Sequence, residues 1–148
     1  MSDYTETFSE MHNPLISENN AVLAAGVYDS PWALMENYHR GVLVFNMIDM
    51  GAGATCDVSL RQATTVAGAG AKAFTAKAMT QLTQAGGDAN TDSCIELRTE
   101  ETDVTGKFCY VGVRLTVAVA SVVCSYRFYG RVPRYPPAPT TGWNEIVA

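Results

Sequence analysis

The stretch Phe108–Tyr129, FCYVGVRLTVAVASVVCSYRFY, constrains the fold more than any other part of the chain. Apolar side chains occupy every second position in two runs, which are separated only by Ala118–Ala120. A period of two places successive side chains on opposite faces of a β-strand. The stretch therefore predicts two long antiparallel strands, joined by a short turn into a hairpin, each with one face towards a core.

The inward side chains of this stretch, and of the alternating segment Ala54–Gln62, are almost wholly apolar. Such a face is typical of a strand that is half-buried in a sandwich. The residues predicted to be buried between two sheets are Val58, Leu60, Val111, Val113, Leu115, Val122, Cys124 and Phe128.

The segment Gly41–Met50, GVLVFNMIDM, is apolar on both strand phases. A strand of this kind is either central in a core or covered on its outer side by another subunit. We therefore interpret Phe45 and Met47 as candidate partner contacts. Gly51–Gly53 follows, so this strand and Ala54–Gln62 are predicted to form a second hairpin.

Further strands are expected around Ala21–Tyr28, Ala73–Gln84 and Ser93–Thr99, separated by turn sequences, and Trp32–Arg40 is interpreted as strand or irregular. Seven or eight strands spaced by turns, without a long helix, indicate an all-β sandwich, jelly-roll-like in arrangement. We divide the chain into an extended arm (1–20), a β-sandwich domain (21–130) and a Pro-rich extended tail (131–148).

Composition narrows the classes of function. Charged residues make up 17% of the 148 residues, below the roughly 25% of typical soluble chains, which favours an assembly component with a covered surface. The net charge of −5 argues against nucleic-acid binding. No window predicts a membrane helix, and the acidic start MSDYTETFSE lacks the features of a signal peptide, so synthesis in the cytoplasm is expected.

Residues capable of chemistry are few. Glu100, Glu101 and Asp103 form the densest carboxylate group, for which a solvated, capped turn, a calcium site and a hydrolytic pair are the alternatives. Only His12 and His39 are available as general bases or metal ligands. We expect no catalytic residue, no cofactor and no metal.

The four cysteines show no metal-binding spacing. They are Cys56, Cys94, Cys109 and Cys124, and all but Cys94 lie on the apolar phase of predicted strands. We therefore expect reduced thiols that pack as small hydrophobic groups, without disulfides.

The two ends of the chain differ in charge and aromatic content. Residues 1–20 carry four acidic residues and no Lys or Arg, whereas the tail begins with Arg131 and Arg134 and is rich in Pro. Aromatic and Arg side chains are enriched where proteins bind one another. The partner-binding residues predicted at this end of the chain are Tyr129, Arg131, Arg134, Tyr135 and Trp143.

The segment Cys94–Pro139 has a recognisable pattern: CIELRT, EETDV, the aromatic strand KFCYVGVRLTV, then ASVVCSYRFYG, and the end Arg134–Pro139. GVLVFNMIDMGAGATCDVSLRQ and AMTQLTQAGG upstream extend it to roughly residues 40–139. The pattern resembles small structural proteins encoded in the head-gene modules of tailed bacteriophages and prophages.

The resemblance implies a non-enzymatic capsid decoration (cement) protein with a β-sandwich fold. The expected partners are the major capsid protein and further copies of the chain itself, as a dimer or trimer, with no nucleic acid and no membrane. The expected location is the capsid surface of a virion, after synthesis in the host cytoplasm. A neck or tail component, a carbohydrate-binding module for host attachment and a small hydrolase remain as alternatives.

Overall fold

The computed structural model describes residues 7–134 and 142–147. Among these residues, a short helix, α1 (Phe8–Met11), precedes the strands, and a 3-10 turn covers Thr99–Glu101. The strands are β1 (His12–Leu23), β2 (Gly26–Asp29), β3 (Ala33–Leu34), β4 (Tyr38–Met50), β5 (Thr55–Ala63), β6 (Lys72–Ala78), β7 (Leu82–Thr83), β8 (Thr91–Arg98), β9 (Tyr110–Ala118) and β10 (Val122–Pro133). In the described part of the chain, no helix is long and apolar enough to cross a membrane.

The strands form two antiparallel sheets. The order in the first sheet is β1-β10-β4-β8 and in the second β2-β9-β5-β6, with β3 added beside β9 and β7 beside β5. Eight strands wound in this order make the double Greek key of a jelly roll. The prediction of an all-β, jelly-roll-like sandwich is confirmed.

The core lies between the two sheets, and it contains the side chains that the sequence predicted to be buried. All eight residues predicted to be buried have at most 1% of their surface exposed. Phe45 and Phe128 are among the largest fully buried side chains. Alternation along β5, β9 and β10 therefore identified which face of these strands packs inward.

Neither predicted hairpin exists. Strands β9 and β10 belong to different sheets, since Val117 pairs with Gly26 and Cys56, whereas Val122 pairs with Leu23 and Met50. The connection between them crosses the sandwich from one sheet to the other. A crossover keeps both inward faces turned towards the core, so it produces the same alternating pattern as a hairpin.

The link between β4 and β5 is the second such crossover, at the same end of the sandwich. The backbone N–H of Gly51 donates a hydrogen bond of 2.8 Å to the carbonyl of Ser121, which joins the two crossovers. Gly53 has a φ of +74°, a left-handed conformation that glycine adopts without steric cost. At this end of the sandwich, short turn sequences therefore connect strands of different sheets, and not strands that are neighbours in one sheet.

The first strand begins earlier than the sequence predicted. Residues 12–20, assigned to an arm, form most of β1 and pair with β10, and Ile16 is only 5% exposed. Two bulges, between Pro14 and Ile16 and between Glu18 and Ala21, interrupt the period of two and conceal the strand. Because β1 is an edge strand, it tolerates Pro14.

The last strand also extends further than predicted. Strand β10 continues to Pro133, which lies opposite Tyr38, and the N–H of Arg134 donates to the carbonyl of Asn37 at 2.8 Å. Strand β10 therefore includes the first three residues of the segment predicted as tail, because a proline at the end of a strand costs little pairing. Tyr135 and the prolines that follow it lie outside the described residues.

Candidate interaction surface

The solvent-facing side of the sheet β1-β10-β4-β8, called the outer face below, carries an apolar centre on β4. Leu43, Phe45 and Met47 point into the core, so Val42, Val44 and Ile48 point outward. Val44 is 42% exposed. The sequence showed that both phases of this strand are apolar, but not which of them faces out.

The two partner contacts predicted on this strand were therefore wrong. Phe45 and Met47 are both 0% exposed, and the ring of Phe45 stacks on that of Tyr126 with centroids 6.0 Å apart. Their side chains contribute to the core and contact no partner while the sandwich is folded. We therefore interpret the outward residues of the same strand, Val42, Val44 and Ile48, as the candidate partner contacts.

Neighbouring strands extend the apolar centre of the outer face and border it with polar groups. Val44 lies between Arg127 of β10 and Cys94 of β8, and the pair Val22 and Val123 lies further along β1 and β10. Val22 is 71% exposed. An apolar area rimmed by polar side chains is a common property of protein-binding surfaces.

An aromatic cluster closes one end of the outer face. The ring of Phe8 stacks on His12 at 4.1 Å and meets Tyr129 and Trp143 edge-on, at 5.9 and 6.0 Å between centroids. The indole Nε1 of Trp143 donates to the carbonyl of His12 at 3.1 Å. Tyr129 and Trp143, predicted as partner anchors, thus hold the C-terminal segment against β1, and both stay half-buried.

Four basic side chains form a row across the sheet beside this cluster. Register pairs His12 with Arg131, Arg131 with Arg40, and Arg40 with Arg98, one residue from each strand. Burial, with a smaller contribution from Arg131, lowers the pKa of His12 below its ordinary value. Sequence analysis found Arg131 but missed Arg40 and Arg98, because their alignment depends on strand pairing.

Two other arginines near the tail, Arg127 and Arg134, behave differently. The guanidinium of Arg127 donates to the carbonyls of Glu18 and Tyr126, at 3.0 and 2.9 Å, and to the side chain of Asn19. It therefore fastens the second bulge of β1. Arg134 is exposed and borders a cavity with Glu36 and Lys107, so its contact with a partner stays a prediction.

The carboxylate group after β8 forms a turn stabilised by cations. Asp103 pairs with Lys72 at 2.6 Å, and Glu101 pairs with Lys77 at 3.1 Å. Hydrogen bonds, from Lys72 to Asp103 and from the Arg98 N–H to Glu101, lower the pKa of each carboxyl. A general acid needs a raised pKa, so these groups suit a capped turn.

The thiols are free and differ in exposure. Cys56 and Cys124 are buried, Cys94 is exposed on the outer face, and Cys109 is half-buried rather than buried as predicted. Burial raises the pKa of Cys56 to about 12 and that of Cys124 to about 11. Among the described residues, no group of His, Cys, Asp and Glu is arranged to hold a metal ion.

The sequence matches no protein-family model and no curated protein. Solved structures similar to the chain include a crystal structure of the T13 IBDV viral particle, with a TM-score of 0.47 and 13% identity. Structures of the Gx and Gt strains of infectious bursal disease virus have TM-scores of 0.43 and 0.38, with 14% and 12% identity. Each alignment covers 85% of this chain, which spans about a third of the matched chains, 32–33%.

Proposed function

We propose that this chain is a non-enzymatic structural protein of a virion, and more specifically a decoration protein that binds the major capsid protein shell of a tailed phage head. Viral capsid domains and lectin domains both have jelly-roll folds, so the fold is compatible with this function without requiring it. In this proposal the protein is made in the host cytoplasm and ends on the capsid surface.

The observation that carries the proposal is the apolar centre of the outer face. Val42, Val44 and Ile48 lie on a central strand of the sheet, where a jelly roll standing alone in water normally carries polar side chains. Partner binding would remove these side chains from water, at roughly 25 cal/mol for each Å² buried. Repetition by capsid symmetry then turns modest contacts into stable attachment.

Binding to capsid shells tests the proposal. Purified chain is added to shells stripped of it, and occupancy is measured after sedimentation. We expect Val44→Asp to weaken attachment at least tenfold with little change in thermal unfolding, because it places a charge on the apolar centre. Val27→Asp is the matched control, since Val27 is 58% exposed on β2 of the other sheet.

Two outcomes would contradict the proposal. Equal occupancy for Val44→Asp and wild type would exclude the outer face as the docking surface. Failure of the wild-type chain to bind shells, together with selective binding on a glycan array, would favour the carbohydrate-binding alternative. The half-buried ring of Trp143 is the observation that favours this second candidate, because sugars stack on aromatic rings.

A neck or tail position belongs to the same class of function. Cryo-electron microscopy of the source particle distinguishes it from capsid decoration, because density for this jelly roll would lie at the portal end or on the shell. The same map would give the oligomeric state, for which we propose a dimer or trimer.

A further inference from the structure

Three arginines lie side by side in the basic row on the outer face, and they are called the arginine row below. Arg131 lies opposite Arg40 on the neighbouring strand, and Arg40 lies opposite Arg98 on the next. All three line one cavity of about 310 Å³. Like charges directly opposite one another in a sheet are destabilising. The arginine row therefore has a free-energy cost, which an anion in the cavity would remove.

The carboxylates near this cavity do not neutralise it. Glu101 pairs with Lys77 at 3.1 Å, and the exposed Glu100 meets Arg98 at 3.7 Å. Glu96 also borders the cavity, and within residues 7–134 and 142–147 its carboxylate forms no ion pair. Four cationic side chains and two carboxylates line the cavity, so its wall keeps a net positive charge.

Two cations of the arginine row lack an anionic partner in the part of the chain that the structure describes. Arg40 and Arg131 form no ion pair there, and the buried Nε of Arg131 has no hydrogen-bond partner. A buried donor without an acceptor retains its desolvation cost. A guanidinium binds a carboxylate through two parallel N–H donors, which satisfies such a group. The chemistry of the row therefore suits carboxylates.

The arginine row is continuous with the apolar centre of the outer face. Val42 and Val44 follow Arg40 on the outward phase of β4, and Val42 borders the same cavity. Four residues of extended strand span about 13 Å, a small part of a patch of about 800 Å², the usual contribution of one partner to an interface. A partner that covers Val44 therefore lies over the arginines as well.

We propose that the arginine row is a carboxylate-binding site, and that it receives acidic side chains of the capsid subunit that docks on the outer face. The partner surface then combines apolar side chains, which cover Val44, with carboxylates that pair with Arg40 and Arg131. Docking excludes water from the cavity, which strengthens each pair because the effective dielectric constant falls. Opposite charges also fix the orientation of the docked chain. The inference rests on the proposed function, whose partner it describes.

Attachment to capsid shells tests the site. In the sedimentation assay, Arg40→Gln/Arg131→Gln should weaken attachment about tenfold or more at low salt, because two charge-assisted contacts are lost. The difference from wild type should shrink to about twofold near 1 M NaCl, where the screening length is about 3 Å. Equal attachment of the variant and wild type at low salt would overturn the inference.

A matched control separates the site from net charge. Arg61→Gln/Lys107→Gln removes two cations as well, one from β5 of the other sheet and one from the loop before β9. We expect this variant to attach as wild type does. If it weakens attachment as much as Arg40→Gln/Arg131→Gln, net charge explains the effect and the arginine row is not a site.

The stability of the isolated chain gives a second measurement, which a structural role of the arginines would reverse. Removal of Arg40 takes the middle charge out of the row and relieves repulsion on both sides. Arg40→Gln should therefore leave the melting temperature unchanged or raise it by up to about 3 °C, although it weakens attachment. A lower melting temperature would show that Arg40 is paired within the chain, against the inference.

Failure of the inference is distinguishable from failure of the proposed function. If Val44→Asp weakens attachment and Arg40→Gln/Arg131→Gln does not, the outer face docks without the arginine row, and the inference alone is wrong. If the wild-type chain does not bind shells, both are wrong. Inorganic phosphate tests for a free ion, against chloride of equal ionic strength. Phosphate that raises the melting temperature of wild type but not of Arg40→Gln/Arg131→Gln, without competing for shell attachment, would assign the row to a free anion and overturn the inference.

Discussion

At the residue scale, Gly130 shows how a missing side chain positions a neighbouring ring. A Cβ atom at this residue would lie 2.7 Å from the ring of Tyr38, so Tyr38 packs directly over the backbone of β10. The hydroxyl of Tyr38 accepts a hydrogen bond of 3.0 Å from the buried side chain of Asn13 on β1. One glycine therefore allows a contact that ties β1 to the start of β4.

Substitution of this glycine tests that contact. Gly130→Ala should displace the Tyr38 ring and lower the free energy of unfolding by about 1–3 kcal/mol, because overpacking and a lost buried hydrogen bond both destabilise. Denaturant unfolding measures the change. Ser125→Ala, on the outward phase of the same strand, should change stability by less than about 0.5 kcal/mol. Equal effects of the two substitutions would mean that Tyr38 adapts without cost.

Thiol reactivity follows from the burial of individual cysteines. The raised pKa values of about 12 for Cys56 and about 11 for Cys124 keep both thiols protonated at pH 8, and both are 0% exposed. In an Ellman assay of the native protein, Cys94 should react first, and Cys56 and Cys124 should react only on unfolding. Rapid reaction of all four thiols in native buffer would contradict the packing of these two residues.

At the element scale, the sequence predicted strand faces better than strand partners. Alternation identified the buried phase of β5, β9 and β10, because a half-buried strand must keep one phase apolar. It could not show that β10 pairs with β1 and β4 rather than β9, since periodicity contains no information on neighbours. Strand β1 escaped prediction for a different reason, because its two bulges break the alternation on which the prediction rests.

The candidate surface shows the same division. Arg131 was identified from its position near the tail, whereas Arg40 and Arg98 became part of the site only through the register of β10, β4 and β8. Phe45 and Met47 were assigned outward because both phases of β4 are apolar. A sequence contains the composition of a strand, but a surface that spans several strands depends on pairing between distant segments.

Strand β2, only four residues long, is held at the sheet edge by an ion pair with β9. The guanidinium of Arg114 donates two hydrogen bonds to Asp29, at 2.6 and 2.7 Å. Side-chain hydrogen bonding to Arg114 is the largest cause of the lowered pKa of Asp29. Both side chains are more than a third exposed, 35% and 44%, so solvent screens the pair and its contribution is at most about 1 kcal/mol.

The pH dependence of this pair has a definite sign. Because the native pKa of Asp29 is lowered, its contribution to stability is present above the ordinary carboxyl range near 3.9 and is lost as the pH falls through the native pKa. Asp29→Asn should therefore be less stable than wild type at pH 7, and the difference should disappear in acid. Urea unfolding at several pH values measures it, and a difference independent of pH would contradict the assignment.

At the scale of the whole molecule, strand β1 joins the core to the C-terminal segment. Residues 12–20 belong to β1, which covers one edge of β10. Ile16, at 5% exposure, closes the core at this edge, and the side chain of Asn13 also accepts a hydrogen bond from Gly142 at 3.0 Å. Loss of β1 therefore removes core contacts and the C-terminal attachment together.

Two truncations test the contribution of β1. Removal of Met1–Glu6 should leave a cooperatively unfolding protein, because β1 and its pairing with β10 stay intact. Removal of Met1–Asn20 deletes nine residues of the twelve-residue β1 and should cost about 2–5 kcal/mol through Ile16 alone. It also exposes the edge of β10, which favours pairing between molecules and aggregation. Light scattering and thermal unfolding measure both effects. If the longer truncation does not aggregate and melts within about 5 °C of the full chain, β1 is dispensable and the jelly roll is held by seven strands rather than eight.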